Sequence, residues 1–211
     1  MTGCGCGQGG TFEGLSDGYR RVLIAVIAVN AAMFVIEMGA GAFAGSQALK
    51  ADALDFLGDT ATYALTLAVI GKPAGWRASA ALVKGVSLAM MGLWVLGHTA
   101  YQVLVLGVPQ ATVMGAVGAL ALAANAFSVL LLLPYRSGDA NVRSVWLCSR
   151  NDAIGNVAVI AAAGGVWATG AAWPDLAVAG VMASLFLWSA VQIIRQAGAE
   201  LRAPPSPAAA E

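Results

Sequence analysis

Residues 48–70 read Ala48-Leu-Lys-Ala-Asp52-Ala-Leu-Asp55-Phe-Leu-Gly-Asp59-Thr-Ala-Thr-Tyr-Ala-Leu-Thr-Leu-Ala-Val-Ile70. The run has the length of a membrane span, which needs about 20 mostly apolar residues, yet it holds three aspartates. An aspartate at mid-helix costs roughly 2.5–3.5 kcal/mol on insertion scales, whereas each Leu, Ile or Val contributes only about 0.3–0.6 kcal/mol in return. Three aspartates therefore offset most of the apolar gain and must face a bundle interior or a wet cavity. Their spacing allows it: Asp52, Asp55 and Asp59 are related by i, i+3 and i+7 and share one face of a helix.

The rest of the chain supplies the bundle. Of 211 residues, 59% are hydrophobic and 10% charged, with a mean hydropathy of +0.78; a soluble domain is about 25% charged. Apolar runs are read at about Val22–Phe43, Ala48–Ile70, Ala78–Gly107, Ala111–Pro134, Val145–Thr169 and Asp175–Ile194. They are separated by loop signals at Gly45-Ser46, Gly71-Lys72-Pro73, Val108-Pro109, Pro134 with Ser137-Gly138, and Trp173-Pro174-Asp175. Backbone groups in lipid must be satisfied within the segment, so the expectation is an all-α membrane protein of six transmembrane helices. A six-helix domain over 20–196 would be flanked by a flexible Cys/Gly-rich tail, 1–19, and a disordered Ala/Pro-rich tail, 197–211. The N-terminus does not read as a signal peptide. With the N-terminus inside, Arg20, Arg21, Lys72, Arg77, Arg136, Arg143, Arg195 and Arg202 flank cytoplasmic ends and only Lys50 an outer one. Lys84 and Arg150 fall inside nominal spans and do not enter that tally. The bias predicts both termini in the cytoplasm and a plasma (bacterial inner) membrane location. Eleven basic residues balance eleven acidic ones without a basic patch, which argues against a nucleic-acid partner.

The fifth run carries the second chemical signal. Cys148 and Asp152 are one turn apart, and Asn156 continues the same face. If the second and fifth helices pack face to face, Asp55, Asp59, Cys148 and Asp152 can surround one point. Thiolate and carboxylate ligands in that number suit a tetrahedral divalent ion such as Zn²⁺. Three carboxylates and a thiolate carry −4 when ionised, and a divalent ion leaves −2. Crowded at low dielectric, an empty site of this kind is expected to hold protons that metal entry expels. A site open alternately to each side would then exchange metal for protons. Blander readings stand beside this one. Paired aspartates can serve helix–helix hydrogen bonding, and Cys148 can be a small buried hydrophobe. Asn30 and Glu37, an i, i+7 pair on the first helix, either line a pathway or bond a neighbouring helix. His98 reads as a packing or interfacial residue, and Trp76 and Trp173 as interface anchors. Cys4 and Cys6 either capture metal or belong to a Gly-rich tail; three cysteines make no disulfide framework.

Together these residues resemble the cation diffusion facilitator family. Asn30, Glu37, Gly41, Ser46-Gln-Ala-Leu49 and Ala51-Asp-Ala-Leu-Asp55-x-x-x-Asp59 are similar to its first two helices. Asn141-Val-Arg143 through Cys148, Asp152, Gly155 and Asn156 are similar to the approach to its fifth, and the Trp173-Pro-Asp175 loop and sixth helix also match. The resemblance spans about Arg20–Gln196. It implies six transmembrane helices, a homodimer, and export of divalent metal from the cytosol against protons. Asp55, Asp59, Cys148 and Asp152 would form the transport site, with Asp52, Glu37, Asn30 and Asn156 in support of proton handling or the pathway. The departures are specific. Cys148 stands where His or Asp is usual, Asp55 where many zinc members have His, Tyr135–Ser144 lacks the His-rich loop, and the soluble C-terminal domain is expected to be missing. A softer ligand shifts preference toward Zn²⁺ or Cd²⁺ over Mg²⁺ or Mn²⁺.

The expectation is thus a transporter with no resident cofactor, its cargo a divalent cation, its other partners protons and the lipid bilayer. Alternatives are a Co²⁺, Ni²⁺ or Fe²⁺ exporter, or a non-transporting membrane metal sensor or subunit. An enzyme is not expected. Phosphatidyl transfer would want Asp-Gly-x-x-Ala-Arg ahead of Gly-x-x-x-Asp-x-x-x-Asp, and intramembrane proteolysis Gly-x-Ser-Gly with a His partner or His-Glu-x-x-His; none is present.

Overall fold

Ser16 opens the first helix: its hydroxyl accepts from the Tyr19 amide at 3.2 Å, satisfying one of the free N–H groups of the first turn. The helix, α1 (Asp17–Ala44), ends at Gly45, whose φ of 72° lies in the left-handed region that glycine enters without strain. After this turn come α2 (Gln47–Val69), α3 (Ala74–Val105), α4 (Ala111–Leu132) with a 3₁₀ turn at Leu133–Tyr135, α5 (Ala140–Thr169) and α6 (Trp173–Arg202). The computed structural model describes residues 16–69, 74–105, 107–137 and 140–202. Every regular element among them is helical.

Five of the helices are long and apolar enough to cross a membrane. The exception is α2, where the three aspartates and Lys50 dilute the apolar run. The all-α membrane bundle expected from the sequence is therefore present, with its sixth helix carried by packing rather than by hydropathy. Two boundaries differ from expectation. α1 begins at Asp17, because Ser16 caps it there. α6 runs through Arg202, so 197–202 are helical rather than part of a tail; Ala197 is buried and fixes that last stretch. Cys4, Cys6 and residues 203–211 lie outside the described residues.

α1, α2, α5 and α4 pack in a ring, each against the next, and α3 and α6 form a close pair docked on α2 and α5. The pair is close because its contact face is glycine: a Cβ at Gly85 would stand 2.8 Å from Ile194 Cγ1, and one at Gly92 2.9 Å from Leu187 Cγ. Large apolar side chains also cover the outer surface, while polar ones are taken inside. α1 buries Asn30 and Glu37 while Val35, Ile36 and Phe43 face outward, and Trp94, Leu104, Leu130, Trp167 and Trp188 are likewise exposed. Trp76 and Trp173 are also exposed, as an interfacial residue must be.

The two ends of the bundle are closed by different means. At one end, where α1 begins, Tyr19, Leu23, Val26, Tyr63, Leu132 and Val145 make an apolar cluster, and the rings of Tyr19 and Tyr135 meet edge to face at 5.1 Å. At the other end Asp175 caps a helix that is not its own. Its carboxylate accepts from Ser46 Oγ at 2.6 Å and from the amides of Gln47 at 2.7 Å and Ala48 at 3.0 Å, while Ser46 Oγ accepts from the Leu49 amide at 3.0 Å. The first three amides of α2 are thereby satisfied, and the start of α2 is bonded to the start of α6. The Gln110 amide donates to the Ala44 carbonyl at 2.9 Å and holds α4 to α1 at the same end.

Candidate functional site

Between these closures four helices each turn one stripe to a common cavity of about 600 Å³. α2 contributes Asp55, Gly58, Asp59 and Thr62; α3 Lys84, Ser87, Leu88 and Met91; α5 Cys148, Asn151, Asp152 and Gly155. In all three the spacing is i, i+3, i+4 and i+7, the signature of a single helical face. Met182, Leu185, Phe186 and Ser189 of α6 close the fourth side. Asp55, Asp59, Cys148 and Asp152 thus line one space. Asp152 stands beside both Asp55 and Asp59, and Cys148 lies within their electrostatic reach.

The side chains are near one another without being drawn to a point. Among the described residues no three His, Cys, Asp or Glu side chains form a set that could hold a metal ion. One reason is visible. The Tyr63 hydroxyl donates to Asp59 Oδ2, with the Val145 carbonyl and the Ser149 hydroxyl each 3.4 Å away. That oxygen of Asp59 is therefore committed to its own helix, one turn on.

Behind the cavity lies a smaller space, too tight for a water molecule, bounded by Asp52, Asp55, Phe56, Asp59, Asn125 and Asp152. It leads to a buried polar chain. Asn125 Nδ2 donates to Asn156 Oδ1 at 2.9 Å, and Asn156 Nδ2 donates to Asp52 Oδ2 at 2.6 Å. Glu37 of α1 lies near Asp52, and both of its carboxyl oxygens are buried without a hydrogen-bond partner among the described residues. A carboxylate is an acceptor only, so the two would bond when one of them carries a proton. Asn30, also on α1, is buried with neither amide atom bonded among the described residues. The supporting residues expected from the sequence are thus inside the bundle. Asp52 and Asn156 bond each other, Glu37 lies near Asp52, and Asn30 stays apart. His98 does not reach the cavity; its ring stacks on Trp94 at 4.6 Å and meets Tyr101 at 6.4 Å. Arg150 is exposed, over the Trp146 ring and bonded to Asn151.

Sequence reasoning missed Tyr63, Asn125, Lys84 and the Asp175 cap. Tyr63 was findable, one turn beyond Asp59 on the face already singled out. Asn125 carried a weaker signal, an amide in an otherwise apolar run. Lys84 needed the register of α3 against α6, which no local pattern contains.

A bundle of membrane-length helices with large apolar side chains on its outer surface and a carboxylate-lined cavity within is an integral membrane protein. The chain belongs to the cation efflux family: the family's profile, the cation efflux transmembrane domain, matches residues 23–202. It is similar to the metal cation efflux system protein CzcD of Cupriavidus metallidurans and to the cation efflux system protein CzcD of an Alcaligenes species. In each case it is 29% identical over 174 residues, which cover 77% of this chain and 55% of the relative. The chain therefore spans about half the length of the curated relatives it matches.

Proposed function

We propose that the protein is a secondary transporter that moves a divalent metal ion, Zn²⁺ or Cd²⁺ foremost, out of the cytoplasm in exchange for protons. The observation that carries the reading is the shared cavity wall: α2 and α5 turn Asp55, Asp59, Cys148 and Asp152 into one space. Metal would be held by these four, in a conformation where Asp59 has left Tyr63 and the two helices have closed by part of a turn. Three carboxylates in a membrane interior are tolerable only when neutralised by protons or by a cation, so exchange of one for the other follows from charge balance. Cys148, the softest donor, favours Zn²⁺ and Cd²⁺ over Mn²⁺. Membership of the family and similarity to cation efflux proteins support transport over catalysis. The eight-to-one distribution of Lys and Arg supports cytoplasmic termini in a plasma membrane. A homodimer is the assembly that the resemblance implies.

The test is flux into liposomes carrying a metal-responsive dye under an imposed pH gradient, for Zn²⁺, Cd²⁺, Co²⁺ and Mn²⁺. The expected result is Zn²⁺ or Cd²⁺ flux that follows the gradient and vanishes in Asp55→Ala. Cys148→Ser should keep flux but lose at least severalfold preference for the soft ions. Zn²⁺ bound without flux of any ion would replace the transporter by a sensor or subunit.

A further inference from the structure

Lys84 is the one group on the cavity wall whose charge opposes the cargo. It lies on the stripe of α3 shared with Ser87, Leu88 and Met91, and among the described residues it is the only cation lining the cavity. Its register is set by the neighbouring residue. Gly85 packs directly on Ile193 and Ile194 of α6, so position 84, a hundred degrees round the helix, turns toward α2 and α5. Lys84 shares the cavity with Asp55, Asp59 and Cys148 and lies within electrostatic reach of them. It is half-buried. A lysine within a membrane helix is costly unless it reaches water or a counter-charge, and here the acidic wall is that counter-charge.

We propose that Lys84 is the resident counter-cation of the transport cavity: a tethered positive charge that partly neutralises the acidic wall when it is empty and opposes the divalent ion that enters, keeping its binding weak enough for release. The inference rests on the transport reading given above. A transport site has to bind well enough to load and weakly enough to unload. Four anionic ligands alone favour retention of a divalent ion, and a fixed ammonium facing them lowers affinity without removing a ligand. The other reading of the residue is an anchor that extends to lipid headgroups, which would leave the metal untouched.

The experiment measures Zn²⁺ affinity of the purified full-length protein by competition with a chelating dye, and flux in liposomes, for wild type, Lys84→Met, Lys84→Gln, Lys84→Arg and Asp55→Ala. Lys84→Met and Lys84→Gln should bind Zn²⁺ about tenfold more tightly, the scale expected when a like charge facing a divalent ion across a partly wet cavity is removed. Both should lower the maximal flux and the half-saturating concentration together, because release slows. Lys84→Arg should retain the wild-type values, which a packing role would not produce. Unchanged or weaker Zn²⁺ affinity in both neutral variants, with Asp55→Ala still abolishing binding, would overturn the counter-cation alone. Zn²⁺ binding that survives Asp55→Ala, or is absent from the wild type, would overturn the site reading and this inference with it.

Discussion

Tyr63 holds an oxygen of Asp59 that the proposed metal site would use. Its removal should therefore expose a ligand rather than destroy one. Tyr63→Phe is expected to tighten Zn²⁺ binding roughly ten- to a hundredfold, the worth of a hydrogen bond to a charged group, with helicity unchanged; dye competition and circular dichroism check both parts. Asn156 works in the opposite sense. It is the single amide that links Asn125 to Asp52, and Asn156→Leu leaves a buried carboxylate without its donor. That variant should lose about 1–3 kcal/mol of stability, read as a lower unfolding temperature in detergent. These pairings show how far single residues could be read from sequence. The spacing of Asp52, Asp55 and Asp59 and of Cys148, Asp152 and Asn156 put each set on one face, and the structure turns both faces inward. What spacing could not carry is which oxygen bonds to what. That depends on rotamers and on the distance between helices, so the side chain of Asn30, singled out with Glu37 on α1, bonds to none of the described residues.

Helices pack here by what is missing from their surfaces. Gly85 and Gly92 let α3 lie against α6, whereas Gly97, on the same helix, has nothing within 4 Å of a Cβ. Gly85→Val should therefore force the pair apart and cost about 1–3 kcal/mol, while Gly97→Ala should be neutral to stabilising; thermal unfolding of the two variants side by side distinguishes contact from composition. Caps matter as much as faces. Asp175→Ala removes the acceptor for the Gln47 and Ala48 amides and should cost about 1–2 kcal/mol, with faster hydrogen exchange at those two amides. The positions of the helices were legible in the apolar runs and their Gly and Pro punctuation. Their ends were less so: the last turns of α6 read as part of an Ala/Pro-rich tail because composition hides the contact that buries Ala197.

Across the whole molecule, the helix that carries the aspartates is the one least able to enter a bilayer alone. Five spans satisfy hydropathy by themselves, and α2 is seated by α1, α5 and the α3–α6 pair around it. An isolated α2 segment fused between reporter domains should fail to insert. The same segment preceded by α1 should insert in part, and the full chain completely, as read by glycosylation mapping. The bundle was foreseeable because lipid allows only helices once strands of barrel type are excluded by the long apolar runs. The partition into a four-helix ring and a docked pair was not. It is written in residues such as Gly85 and Ile194, more than a hundred positions apart.

The cap at the start of α2 also has a temporal meaning. Asp175 is 128 residues downstream of Gln47, and a ribosome adds roughly 5–20 residues per second. For about 6–25 s during synthesis the second helix exists without the carboxylate that finishes it, its opening amides waiting for α6 to emerge. The acidic helix is therefore completed only once α6 has been made, and a nascent chain halted before α6 carries an α2 with two of its first amides unmet.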